Sequence, residues 1–111
     1  MIIIAGYTRT DRDKRDAAVA AFAAMVGRAR QQDGCLDFSI SPDPVDPERI
    51  NLFECWRDQE SLNAWRKIAK GPRVVLRETC VKLYRSDQAE EPFSRNPRRR
   101  PAQAMLSKEM R

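Results

Sequence analysis

The chain contains no histidine. Imidazole is the usual acid-base group near neutral pH and the commonest metal ligand, so proton transfer here falls to a carboxylate, a phenol or a thiol. Cysteine is scarce as well. Cys35, Cys55 and Cys80 are an odd count, stand 20 and 25 residues apart, and form no CxxC pair. Without histidine partners they make neither a disulfide framework nor a zinc site; reduced, partly buried thiols and no metal are expected. Long apolar runs are missing too. A membrane-spanning helix needs about 18 consecutive apolar residues, and "MIIIAGY" is short and lacks the basic leader of a signal peptide. The reading is a cytoplasmic chain with no membrane partner.

Aromatic residues make up 7% of the chain against a net charge of +5. The charge is spread: 15 basic against 12 acidic side chains over residues 1–85, and 6 against 4 over residues 86–111. The only dense basic run, "RNPRRR", lies in a segment that also holds Glu90 and Glu91. Nucleic-acid binding wants a basic face on a folded element, with aromatic residues for stacking. A solvated basic tail fits better, and no nucleic-acid partner is expected.

At 111 residues the chain has room for one core. "MIIIAGYTR" is β-branched and aromatic and reads as a strand buried on both faces. "DRDKRDAAVAAFAAMVGRARQQDG" opens with acidic residues suited to a helix N-terminus and ends at Gly34. Val19, Phe22, Val26 and Ala29 recur there at helical spacing, giving a helix of about five turns. "CLDFSIS" alternates Leu36, Phe38 and Ile40 against Asp37, Ser39 and Ser41. The prolines of "PDPVDPER" break the chain before a third strand, "INLFECW". Asp58 then caps a second helix with a Leu62, Trp65 and Ile68 stripe, stopped by Gly71-Pro72. "RVVLRE" is ambiguous, and "TCVKLYR" alternates as a last strand, Thr79, Val81 and Leu83 sharing one face.

The order strand, helix, strand, strand, helix, strand is that of an α+β, ferredoxin-like split βαββαβ domain. It is expected over residues 1–86, with a mobile, proline-rich basic tail over residues 87–111 in which "AMLSKEM" could form a docking helix. Leu52, Glu54 and Trp56 share one face of the third strand, and Asn51, Phe53 and Cys55 the other. Both faces read as buried. In this arrangement the helices cover only one face, so an apolar second face argues for a homodimer packed sheet to sheet.

"GCLDFSISPDPVDPERINLFECWRDQESLNAW" resembles the core signature of antibiotic biosynthesis monooxygenase domains, and the resemblance extends over about residues 2–85. It implies a dimeric α+β barrel with a pocket in each subunit between helices and sheet. Oxygenases of this type, among them those acting on quinols and anthrones, need neither metal nor flavin, so no cofactor is expected. The substrate, a small phenol or quinol that becomes an electron-rich anion, reduces dioxygen itself; the protein desolvates and orients it and helps remove a proton. Of the family's asparagine, tryptophan, tyrosine and arginine around the substrate ring, only the tryptophan is matched, as Trp56. The asparagine position falls on Leu52 and the tyrosine position on Leu62. The haem-degrading branch ligates iron through a histidine on the second helix, where this chain has "LNAWRKIA".

Glu54 and Trp56 are accordingly the candidate catalytic residues, and Phe22, Phe38, Leu52, Trp65 and Tyr7 the candidate substrate-binding residues. Each has a plainer reading. Glu54 would be held by an arginine such as Arg77 or by backbone amides. Trp56, Trp65, Phe22 and Phe38 would be core, and the face of Tyr7 is left open. The competing function is a non-catalytic dimeric domain that binds a hydrophobic ligand or serves an accessory biosynthetic role.

Overall fold

The computed structural model describes residues 1–93. The calls on residues 94–111, including the "AMLSKEM" helix and most of the tail, lie outside the described residues. Six elements follow the expected order: β1 (Ile2–Arg9), α1 (Arg15–Arg30), β2 (Cys35–Pro42), β3 (Arg49–Trp56), α2 (Gln59–Ile68) and β4 (Glu78–Arg85). The strands form one sheet in the order β2-β3-β1-β4, every neighbouring pair antiparallel. This is the ferredoxin-like α+β fold.

Register sets the two faces. Ile4 of β1 lies between Glu54 and Leu83, and Phe38 of β2 lies beside Glu54. Ile2, Ile4, Phe38, Ile50 and Trp56 therefore point to the helix side and form the core with Leu62 and Trp65 of α2 and Ala29 of α1. Ile3 and Ala5, half-buried, and Phe53, 36% exposed, occupy the other side. Every β4 residue except Val81 is exposed.

Several local expectations change. α1 begins at Arg15 rather than at Asp11, because Lys14 N–H bonds to Asp11 O in a preceding turn. Its packing stripe is Ala18, Phe22, Met25 and Ala29, with Val19 and Val26 half-buried beside it. Leu36 leaves the inner face: Cys35 pairs with Trp56 and Asp37 with Cys55, so Leu36 is the extra residue of a bulge and is 57% exposed. Cys35 takes its place against the core. Ile68 is exposed because α2 ends there, at an extended Ala69, three residues short of Pro72. Of the three thiols only Cys55 is buried; Cys80 is exposed.

The Asp58 cap is present. Its carboxylate accepts from Ser61 N–H at 2.8 Å, and the Ser61 bonds hold the Asp58 pKa down at about 2. Gly34 serves not as a helix cap but as a close approach. Its φ of +83° disfavours any side chain, and a Cβ would overlap the Ser61 side chain. The start of β2 can thus lie directly against the first turn of α2.

Candidate active-site cavity

Between α1 and the inner face of the sheet lies a cavity of about 220 Å³. Phe22 and Met25 of α1 form its roof, and Phe38, Ile40, Ile50 and Leu52 its floor. Leu76, from the segment between α2 and β4, closes one side beside Thr79 of β4. Both are exposed to solvent and mark the mouth. Glu54, Thr8 and Thr79 are the polar residues in an otherwise apolar lining.

Alternation along β3 aims Glu54 inward. Trp56, two residues on and on the same face, donates from Nε1 to Glu54 Oε1 at 3.0 Å. Burial pushes the Glu54 pKa above its ordinary value; the indole donor and the charge of Arg66 oppose the shift without cancelling it. A carboxylate so placed is a stronger base toward a ligand hydroxyl than an exposed glutamate. Arg77 does not hold it: that guanidinium pairs with Glu48 at 3.0 Å and Asp11 at 3.4 Å and bonds to Thr10 O.

Of the residues singled out from sequence, Glu54, Phe22, Phe38 and Leu52 meet in this cavity. Trp56 is fully buried and reaches the site only through Glu54. Trp65 stacks on Trp56, ring centroids 6.2 Å apart at 23°, while Phe38 meets both indoles edge-on. The far side of Trp65 borders a separate cleft with Arg28 and Lys70. Tyr7 is not in the cavity. Its odd position in β1 places it on the opposite face, where the Arg49 guanidinium stacks 4.0 Å from its ring centroid. Thr8, Met25, Ile40, Ile50, Leu76 and Thr79 also line the cavity and are not among the candidates named from sequence. Parity with Ile2 and Ile4 was the available signal for Thr8, and helical spacing from Phe22 for Met25; Leu76 lies in irregular chain and had none.

The sequence profile of antibiotic biosynthesis monooxygenases matches residues 1–69. The chain belongs to that family. An uncharacterized protein of Synechocystis sp. is 22% identical over an alignment of 91 residues that covers 76% of this chain and 62% of the length of that relative. Among solved structures, a candidate antibiotic biosynthesis monooxygenase from Nitrosomonas europaea is 20% identical with a TM-score of 0.63, covering 79% of this chain and all of that one. A haem-degrading protein of Mycobacterium tuberculosis, solved with two haems in its active site, is 12% identical with a TM-score of 0.61, covering 82% of this chain and all of that one. These likenesses establish the fold. The family match ends at the close of α2, so Leu76 and Thr79 lie beyond the part shared with the profile.

Among the described residues no group of three or more histidine, cysteine, aspartate or glutamate side chains could hold a metal ion, and no helix is long and apolar enough to cross a membrane.

Proposed function

We propose that the cavity is the active site of a cofactor-independent monooxygenase for a small aromatic, phenolic or quinol substrate. The observation that carries this reading is the Glu54 carboxylate, set in an apolar cavity and held at one oxygen by the Trp56 indole. Glu54 takes the substrate's hydroxyl proton. Phe22, Phe38 and Leu52 hold the ring and keep water from the anion that results, which raises its tendency to give electrons to dioxygen. One oxygen atom enters the product and the other leaves as water, with all electrons drawn from the substrate.

Haem does not fit the residues present. The cavity lining holds no histidine, cysteine or tyrosine to ligate iron, and about 220 Å³ is below the roughly 300–1,000 Å³ of pockets for drug-sized ligands. The working unit we propose is a cytoplasmic homodimer. Ile3, Ala5, Phe53 and Tyr84 leave an apolar patch on the sheet face away from the helices, which a second copy would cover.

The test is oxygen uptake by metal-stripped protein given a panel of phenols, hydroquinones and anthrone-type compounds. Acceleration above background is expected. The apolar lining, which lacks the family's usual asparagine and tyrosine, favours one competing reading: a domain that binds a hydrophobic ligand without turnover. Binding of such compounds with no uptake would select it.

A further inference from the structure

The two helices run out at one corner of the molecule. α1 ends at Arg30 and α2 at Ile68, after which the chain turns extended at Ala69. Between these ends, beyond Trp65, lies an open cleft of about 620 Å³ lined by Arg28, Gln31, Gln32, Trp65, Ile68 and Lys70. It is roomier than the cavity at Glu54 and shares none of its lining residues. Its volume falls within the roughly 300–1,000 Å³ of small-molecule sites.

The charge in this cleft has one sign. Arg28 and Lys70 are the charged residues of the lining, and neither takes part in an ion pair among the described residues. Asp33, next along the chain from Gln32, is paired with Arg57 at 3.1 Å. Arg28 Nη2 donates to Lys70 O at 2.7 Å, which ties the two basic residues together and leaves the other guanidinium N–H groups open. The side-chain amides of Gln31 and Gln32 supply further donors. Free carbonyls at a helix C-terminus work against an anion. Here they are occupied: Arg28 O and Ala29 O accept from Gln31 and Gln32 N–H, Trp65 O from Ala69 N–H, and Lys70 O from Arg28. The cleft therefore offers positive charge and donors.

Its remaining wall is apolar. Ile68 is 53% exposed although it belongs to the α2 stripe, and the little of Trp65 that is not buried borders the same space. A small inorganic anion would leave Ile68 in water, and a neutral apolar molecule would leave both cations without a partner. We propose that the cleft binds an organic carboxylate with an apolar body, the carboxylate on Arg28 and Lys70 and the body along Ile68 and Trp65. The planar guanidinium fork matches a carboxylate in shape as well as in charge. This site is separate from the cavity and does not depend on the oxygenase reading.

Full-length protein is titrated calorimetrically at neutral pH and low salt against octanoate, 1-octanol and acetate. Octanoate should bind about 5-fold or more tighter than 1-octanol, the increment of a charge-assisted hydrogen bond in a partly exposed setting, and tighter than acetate, which carries the charge without the body. Added salt should shrink the advantage over 1-octanol. Arg28→Gln and Lys70→Gln should each reduce that advantage, and Arg28→Lys should keep much of it, a pattern that general loss of stability would not produce. Ile68→Ser should bring octanoate toward acetate. Glu54→Gln, which alters only the other cavity, should leave all three affinities unchanged. Equal binding of octanoate and 1-octanol, an octanoate preference that survives in both glutamine variants, a response to Glu54→Gln, or no octanoate binding at millimolar concentration overturns the proposal.

Discussion

Replacing Glu54 by Gln separates a base from a structural carboxylate, because the two roles predict effects on different observables. The glutamine carbonyl can still accept from Trp56 Nε1–H, so no buried donor is orphaned. What disappears is a partly desolvated carboxylate whose pKa is raised in the folded protein above 4.5, its ordinary value. A raised folded pKa means the native state binds more protons than the unfolded one between the two values. The stability Glu54 contributes is therefore present below about pH 4.5 and is lost as pH rises through the folded pKa. At neutral pH the variant should be at least as stable as the wild type, within about 0.5 kcal/mol, and the wild type should gain on it only as the solution is acidified. Oxygen uptake should behave differently. Loss of a general base costs about 100-fold or more, equivalent to about 2.7 kcal/mol of barrier. Urea denaturation at several pH values, run beside oxygen-electrode rates on the same samples, measures both. A stability loss above about 2 kcal/mol at neutral pH, with the rate per folded molecule unchanged, would refute the base and establish the structural carboxylate.

Trp56→Phe keeps an aromatic body in the stack but removes the donor that favours the charged carboxylate. The Glu54 pKa should rise further and carry the acid limb of the pH–rate profile upward by about 1 unit, the equivalent of one hydrogen bond to a charged group; an unmoved limb counts against the coupling. Asp58→Ala should lower the melting temperature, and Asp58→Asn should retain most of it. Because the Asp58 pKa is depressed to about 2, its contribution is present above the ordinary aspartate value of 3.8 and should disappear only as pH falls toward 2, which acid unfolding followed by circular dichroism will show. Sedimentation at micromolar concentration should give twice the chain mass, and a compact monomer would exclude sheet-to-sheet pairing.

Sequence alone determined the element order and most of the parity within strands. β-Branched alternation, the Asp58 cap and the proline-rich "PDPVDPER" break are local preferences that the tertiary context did not overturn. It also placed Glu54 and Trp56 on one face, since side chains two residues apart in a regular strand cannot do otherwise. Departures came where a distant segment overrides local pattern. Leu36 alternates correctly with Phe38 on paper, yet a bulge against Cys55 turns it out to solvent, because a register shift is a property of two strands and not of one. Tyr7 looked available as a phenol for a substrate; pairing of β1 with β3 and β4 puts it on the face opposite the cavity. The cavity itself belongs to the tertiary structure. Thr8 and Thr79 are 71 positions apart, and only the antiparallel pairing of the first and last strands brings their hydroxyls to 3.1 Å from each other beside the cavity. Composition names the groups a chain can use; which of them face one another is decided by register.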